Sequence, residues 1–197
     1  MARTVDPERH EARRLHILDA ALTRFARDGY AGATTAAICR EAGIGSGTFF
    51  HYFPSKAAAL VAVLELGTRE TVDWFAAQQG REDARAVLRD HVERSARELA
   101  DPRTAGFVRA VVAVLAEPSI AAALAADEAA LRAGLLPWVE LAQRRGEVRA
   151  DLSAERLTSW LMLLVDGFVG RIAVEPRFSA EAETGMLHDT ADRLLAR

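Results

Sequence analysis

The sequence predicts an all-α protein, and three observations support this fold class. Alanine, leucine, arginine and glutamate, which favour helices, dominate every long segment of the 197-residue chain. The alternation of apolar and polar residues that marks a half-buried strand is almost absent. The breaks between segments carry residues that end helices, at Asp101-Pro102, Glu117-Pro118, Arg145-Gly146 and Glu175-Pro176. We therefore expect about nine helices, with a small N-terminal domain at residues 1–56 and a helical bundle at residues 57–197.

The first 43 residues predict one long helix and one short helix. The long helix has a single buried stripe at i, i+3, i+7 spacing, formed by Leu15, Leu18, Leu22 and Phe25. Gly29 ends this helix. A short helix follows, in which Thr34 or Thr35 caps the free N–H groups and Gly43 takes the left-handed conformation at the end. Because Cys39 is the only cysteine, an intrachain disulfide is excluded. Cys39 is expected to face the core from this helix, and a redox-sensitive thiol is the alternative.

The stretch GIGSGTFFHYFPSK, from Gly43 to Lys56, predicts a tight turn and a second short helix. Two short helices joined by a glycine-bearing turn after a supporting helix form a helix-turn-helix, whose second helix enters the DNA major groove. Phe49 and Phe53 face inward, because a helix this short needs tertiary packing to be stable. Small or hydroxyl side chains begin the helix, at Ser46, Gly47 and Thr48, where the backbone can approach base edges.

The remainder of the chain predicts six longer helices. The first starts at Ser55, its expected N-cap, and extends to about residue 79. Pro137 is expected to kink the fourth of them. The other five segments lie at about residues 82–100, 103–116, 118–145, 153–174 and 179–196.

The segment FARDGYAGATTAAICREAGIGSGTFFHYFPSKAAAL closely resembles the DNA-binding segment of the TetR family of bacterial transcriptional regulators. The resemblance covers about residues 13–64. It implies a homodimer that reads a palindromic operator in double-stranded DNA, and a C-terminal body that binds a small molecule and releases the DNA. By position it implies phosphate contacts for Thr35, Tyr52 and Lys56, and base-edge contacts for Ser46, Gly47, Thr48 and His51. The predicted DNA-binding set also includes Thr34 and Phe50.

The chain departs from the family pattern at three positions in this segment. Gly45 replaces the usual serine cap, Ser46 a frequent lysine, and Phe50 a frequent tyrosine. We therefore expect fewer phosphate contacts in each DNA-binding domain. Residues 1–56 contain eight Lys and Arg against six Asp and Glu, whereas residues 57–197 contain 17 against 22, so cations are enriched where DNA is expected. Arginines expected to compensate from the N-terminal arm and first helix are Arg3, Arg9, Arg13 and Arg14.

Bulky apolar residues on separate helices are typical of a bundle that encloses a ligand cavity. The residues predicted to bind the effector are Trp74, Phe107, Val111, Trp138, Trp160 and Met162, and ordinary core packing is the alternative for each. Asp166 and Arg171 interrupt the apolar segment SWLMLLVDGFVGRIAV, where each orients a ligand or pairs across a subunit interface. The resemblance implies that the last two helices pair with their twofold mates. The predicted interface residues are Leu164, Gly167, Phe168, Arg171 and Leu194.

The sequence carries no recognisable enzyme chemistry. His91 and His188 have no partners at metal-ligand spacing, and phosphate-binding glycine loops and nucleophile–base pairs are absent. We expect no catalytic activity, cofactor or metal. No charge-free apolar run reaches the roughly 20 residues that span a bilayer, and the polar N-terminus lacks a signal sequence, so a soluble cytoplasmic protein is expected. The alternatives are a DNA-binding dimer whose body senses a protein or nothing, and an enzyme that carries a helix-turn-helix.

Overall fold

A computed structural model describes residues 6–197 and shows only helices as regular secondary structure in that range. The predicted all-α fold class is confirmed, and each segment predicted after residue 55 contains one observed helix. The nine helices of residues 6–197 are α1 (Pro7–Gly32), α2 (Thr35–Glu41), α3 (Ser46–Tyr52), α4 (Lys56–Ala77), α5 (Ala84–Leu99), α6 (Thr104–Val112), α7 (Pro118–Arg144), α8 (Ala154–Val174) and α9 (Ala180–Leu195).

Side-chain caps begin the helices where the sequence placed them. Thr34 Oγ1 accepts a hydrogen bond from the Ala37 N–H at 3.1 Å, so Thr34 rather than Thr35 caps α2. Ser55 Oγ accepts from the Ala58 N–H at 3.1 Å at the start of α4. Each cap satisfies one of the N–H groups that have no partner within the helix.

Two glycines in the left-handed region shape the N-terminal helices. Gly29, with φ of 68°, interrupts α1, and Gly43, with φ of 60°, follows α2. The conformation of Gly43 was predicted, since glycine adopts positive φ without a steric penalty. Gly29 was predicted to end the first helix, but α1 continues beyond it to Gly32. The predicted stripe of α1 was wrong at Leu15, which is 39% exposed, and at Leu22, which is half-buried. The buried stripe of α1 therefore lies at a different angle round the helix from the predicted one. Its buried side chains are Ile17, Leu18, Ala20, Ala21 and Phe25.

The chain forms two compact units. The first comprises residues up to Leu66 together with Gly106–Leu124. Its core joins Phe25 of α1, Ile38 of α2 and Phe49 of α3 to Val111 of α6. These units do not coincide with the predicted division after residue 56, because α6 and the start of α7 pack into the same core as α1–α3.

The second unit comprises Gly67–Ala105 and Ala125–Arg197. Helix α9 packs against both α5 and α8. One core cluster centres on Phe75, Leu88 and Leu135, and another contains Val92 and Phe168. Helices α4 and α7 each contribute residues to both units. The α7 helix is continuous through Pro137.

Candidate nucleic-acid interface and body sites

Helix α3 is held on the first unit by its aromatic side chains. Phe49 is fully buried and Phe53 nearly so, and their ring centroids are 5.9 Å apart. The Arg14 guanidinium of α1 lies 5.8 Å from the Phe53 centroid, within cation–π distance. The prediction that Phe49 and Phe53 anchor this helix is confirmed, so a helix of only seven residues obtains its stability from packing.

Helix α1 also fixes the turn before α3 and the end of α3. The His16 Nε2 lies 2.9 Å from the Ala42 carbonyl oxygen, next to the turn. The His10 ring centroid is 4.6 Å from that of Tyr52 and 6.1 Å from that of His51. These contacts connect the supporting helix to the turn and to the C-terminal end of α3 and determine which side of α3 faces solvent.

The solvent-facing side of α3 carries four of the predicted DNA-binding residues. Ser46, Gly47, Phe50 and His51 are exposed, whereas Thr48 is half-buried. Helix α3 contains no lysine or arginine. Its exposed face therefore presents a hydroxyl, an open backbone, an imidazole and an aromatic ring instead of fixed positive charge.

The side chain of Lys56 contacts the end of α1 within the first unit. Its Nζ donates to the Tyr30 carbonyl oxygen at 2.7 Å and to the Ala31 carbonyl oxygen at 3.5 Å, and it lies 4.4 Å from the Tyr30 ring centroid. An ammonium group has three N–H donors, so one remains for a phosphate. Burial and, less strongly, the negative charge of Glu117 raise the pKa of the Tyr30 hydroxyl.

The remaining predicted phosphate ligands and the arginines differ in how far they are exposed to solvent. Thr34 is exposed, and its oxygen acts as a helix cap while its hydroxyl proton can still be donated. Thr35 and Tyr52 are half-buried. Arg9 and Arg13 are exposed on α1, and Arg3 lies outside the described residues.

A long apolar groove lies between α8 and α9 in the second unit. It has a volume of about 560 Å³ and contains all five predicted interface residues, Leu164, Gly167, Phe168, Arg171 and Leu194. Trp160 and Leu163 extend it and are 47% and 54% exposed. A Cβ atom built on Gly167 would meet no atom within 4 Å, so this face is open to the close approach of another helix.

This open face also accounts for the composition of α8. Among the helices described, α8 alone is long and apolar enough to cross a membrane by length and composition. It also contains Asp166 and Arg171, and part of its apolar surface is buried against its neighbours. An interface helix of a soluble protein meets the same criteria, so the composition alone does not indicate a membrane.

Comparison with known proteins identifies the family. A family model described as bacterial regulatory proteins, tetR family, matches residues 17–63. The HTH-type transcriptional regulator BetI of Paraburkholderia phytofirmans is 30% identical over 204 residues, which cover 94% of this chain and 95% of that protein. The chain belongs to the TetR family.

Two further relatives agree with the TetR-family assignment. The HTH-type transcriptional repressor Rv1474c of Mycobacterium tuberculosis is 29% identical over 166 residues, covering 82% of this chain and 83% of that protein. The structure of a regulator from Saccharomonospora viridis in complex with choline matches with a TM-score of 0.76 and 25% identity, covering 93% and 96% of the two chains. This TetR-family chain is thus a DNA-binding transcriptional regulator and not an enzyme.

The structure distributes the predicted effector residues of this TetR-family chain over several places. Trp74, Trp138 and Met162 belong to one apolar cluster of the second unit. Phe107 and Val111 belong to the core of the first unit. The other two lie elsewhere in the second unit, Trp160 in the α8–α9 groove and Asp166 near the acidic side chains Asp127 and Glu128.

Asp166 lies in an unfavourable electrostatic environment. Asp166 is exposed at the surface of α8, but partial burial of its carboxyl group, followed by the negative charges of Glu128 and Asp127, raises the pKa of that group. The Thr68 hydroxyl donates to Asp127 Oδ1 at 2.8 Å. Among the residues that the structure describes, no group of three His, Cys, Asp or Glu side chains is placed to hold a metal ion.

His91 is a polar residue that the sequence analysis did not assign to the effector site. It is buried, its ring centroid lies 5.8 Å from that of Trp74 and 5.5 Å from that of Phe75, and its Nδ1 has no hydrogen-bond partner. Burial and then the Arg94 charge lower its pKa to about 4. The sequence signal was its place in the apolar stripe of α5, beside Leu88 and Val92.

Proposed function

We propose that this TetR-family regulator is a ligand-responsive repressor that binds a palindromic operator as a homodimer and is released by a small, largely apolar effector. The observation that carries the proposal is α3, a short helix held by buried rings while its polar and aromatic face remains open. The repressor name of the relative Rv1474c supports the direction of regulation. The proposed site of action is the cytoplasm, where the operator DNA is found.

The proposed DNA contacts fall into two groups. Phosphates bind to Thr34, Thr35, Tyr52 and the third N–H of Lys56, while the exposed arginines of α1 supply charge. Base edges meet the solvent face of α3, formed by Ser46, Gly47, Phe50 and His51, together with Thr48. Loss of a phosphate contact lowers affinity for every sequence, whereas loss of a base contact changes the preferred sequence.

The proposed dimer forms through the α8–α9 groove. An open apolar face of this size is unfavourable in water and is covered when the same face of a second copy packs against it. The open positions Gly167 and Gly170 allow the helix backbones to approach closely. The two α3 helices of the dimer then bind DNA half-sites that are about one helical turn, ~34 Å, apart.

The proposed response is a shift between two separations of the DNA-binding domains. Helix α4 continues from residues of the first unit into residues of the second, so a change in the body reaches Lys56 along one helix. The effector releases DNA only to the extent that it binds the second arrangement more tightly.

Leu163→Glu is expected to convert the dimer into a monomer, because it places a charge in the apolar groove. The affinity for a palindromic duplex should then fall about 100-fold or more, to that for a duplex with one half-site, since the second contact is no longer linked to the first. Analytical ultracentrifugation and fluorescence anisotropy measure the two effects.

Val112→Glu is the matched control for this experiment. Val112 and Leu163 are similarly exposed, at 58% and 54%. Val112, however, belongs to α6 in the first unit and does not line the groove. It should leave the dimer intact. A Leu163→Glu protein that remains dimeric would contradict the proposed interface.

A compound that binds the body should stabilise the protein and weaken its hold on the operator. At 100 times its Kd, the expected stabilisation is about 2.7 kcal/mol, or ~5–10 °C in Tm for a domain of this size. A thermal-shift screen of aromatic and aliphatic compounds measures this, and it includes choline because the Saccharomonospora viridis regulator binds it. Operator titrations of each positive compound should show at least a tenfold loss of affinity.

His91→Phe is the informative variant for the effector screen. The unpartnered Nδ1 beside Trp74 is proposed to receive a hydrogen bond from the effector. The variant should lose most of the effector response while it keeps its operator affinity. If no compound shifts Tm, the alternative of a DNA-binding dimer that senses a protein or no ligand is favoured, which agrees with the core packing of Trp138 and Met162.

A further inference from the structure

Phe50 occupies the centre of the exposed face of α3. At 100° per residue, its direction lies between those of Ser46 and Gly47, opposite the buried side of the helix. Phe50 is 53% exposed. It forms a T-shaped contact with the ring of the fully buried Phe49, with a centroid distance of 5.5 Å. A fixed partner therefore orients the ring while its outer half remains in water.

The surroundings of Phe50 favour an apolar target. A phenylalanine ring cannot donate or accept a conventional hydrogen bond, so its favourable contacts are with apolar groups that it withdraws from water. In the DNA major groove, the C5-methyl group of thymine is the apolar feature that distinguishes one base from another. Next to the ring, a Cβ atom built on Gly47 would meet nothing within 4 Å, so the space beside Phe50 is open to a base edge.

We propose that Phe50 is a specificity-determining residue that recognises the methyl groups of thymines in the operator. This inference rests on the proposed role of α3 as the DNA-reading helix. Helix α3 carries no lysine or arginine, so apolar contact with methyl groups supplies part of the base discrimination that guanidinium–guanine contacts supply elsewhere. Ser46 and His51 flank the ring and provide the polar contacts.

The test uses the full-length protein and an operator selected from a randomised duplex library. Each thymine of one half-site is replaced in turn by uracil, which removes the methyl group and keeps every hydrogen-bonding group. Wild-type protein should bind about fourfold more weakly when uracil replaces the thymine that faces Phe50, the factor expected for one methyl group withdrawn from water. Replacement in both half-sites should weaken binding about 15-fold.

Three variants assign the effect to Phe50. Phe50→Ala should bind the thymine and uracil duplexes equally, with an unchanged dependence on salt, because no phosphate contact is lost. Phe50→Leu, which keeps an apolar side chain, should retain part of the discrimination. Tyr52→Phe, which removes a proposed phosphate ligand, should weaken binding to both duplexes by the same factor. The comparison in the wild-type protein does not depend on how well any variant folds.

The outcomes separate this inference from the proposed function. Failure of the wild-type protein to bind any duplex at low salt contradicts the function itself. Binding that is equal for thymine and uracil at every position overturns only the role of Phe50. Selected operators without thymine in the major groove facing α3, or a Phe50→Ala protein that still discriminates, overturn it as well.

Discussion

Gly106→Ala is expected to lower the free energy of unfolding by about 2–3 kcal/mol, the upper part of the usual range for overpacking a tight contact. A Cβ atom on Gly106 would lie 2.0 Å from the carbonyl oxygen and 2.8 Å from the carbonyl carbon of Ala26. Both are backbone atoms of α1, so no change of rotamer relieves the clash, and α6 must move away from α1. The better helix propensity of alanine, worth up to about 1 kcal/mol, offsets only part of this cost.

Gly67→Ala is the control for that substitution. Gly67 lies within α4, and a Cβ atom there would meet nothing within 4 Å. Alanine should raise stability by about 0.5–1 kcal/mol, because it reduces the freedom of the unfolded chain. Urea unfolding of both variants at one protomer concentration measures the two effects, since the proposed dimer would make stability depend on concentration. If Gly106→Ala were as stabilising as Gly67→Ala, α6 would not pack on α1 as described.

The helix boundaries could be predicted because their causes are local. Thr34 and Ser55 cap the N–H groups of the residues that directly follow them, and Gly43 supplies a conformation that other residues rarely adopt. Phe49 and Phe53 could be assigned to the core from their spacing within one short helix. Each of these features depends on a few consecutive residues, so the sequence alone carries the information.

The contacts between distant segments could not be predicted in the same way. The close approach of Gly106 to Ala26 depends on how α6 packs against α1, and nothing near either residue indicates it. The bond between Lys56 and the Tyr30 carbonyl oxygen likewise depends on how α4 meets the end of α1. For the same reason, Trp160 and Trp74 were both predicted to bind the effector, although Trp160 lies in the α8–α9 groove and Trp74 in an apolar cluster. Periodicity identifies an apolar face but not the element that covers it.

Lowering the pH from 7.5 to 5 is expected to reduce the free energy of unfolding by about 2 kcal/mol through His91. Burial among Trp74 and Phe75, with the Arg94 charge nearby, lowers the pKa of His91 to about 4, whereas an unfolded histidine has a pKa of about 6.5. Between these values the unfolded chain binds a proton that the folded protein excludes. Stability is therefore full above about pH 6.5 and is lost as the pH falls towards 4.

The His91→Phe protein provides the reference for this pH dependence, because it retains a ring between Trp74 and Phe75 but cannot take up a proton. Any constant cost of the larger ring cancels when each protein is compared with itself at the two pH values. Carboxylates with lowered pKa values, such as Asp101, act in both proteins and chiefly below pH 5. Urea unfolding at pH 7.5 and pH 5 should thus show about 2 kcal/mol more loss in wild-type protein than in His91→Phe. Equal losses would mean that His91 is protonated in the folded state and that its Nδ1 has a partner, which would also remove the reason for placing it at the effector site.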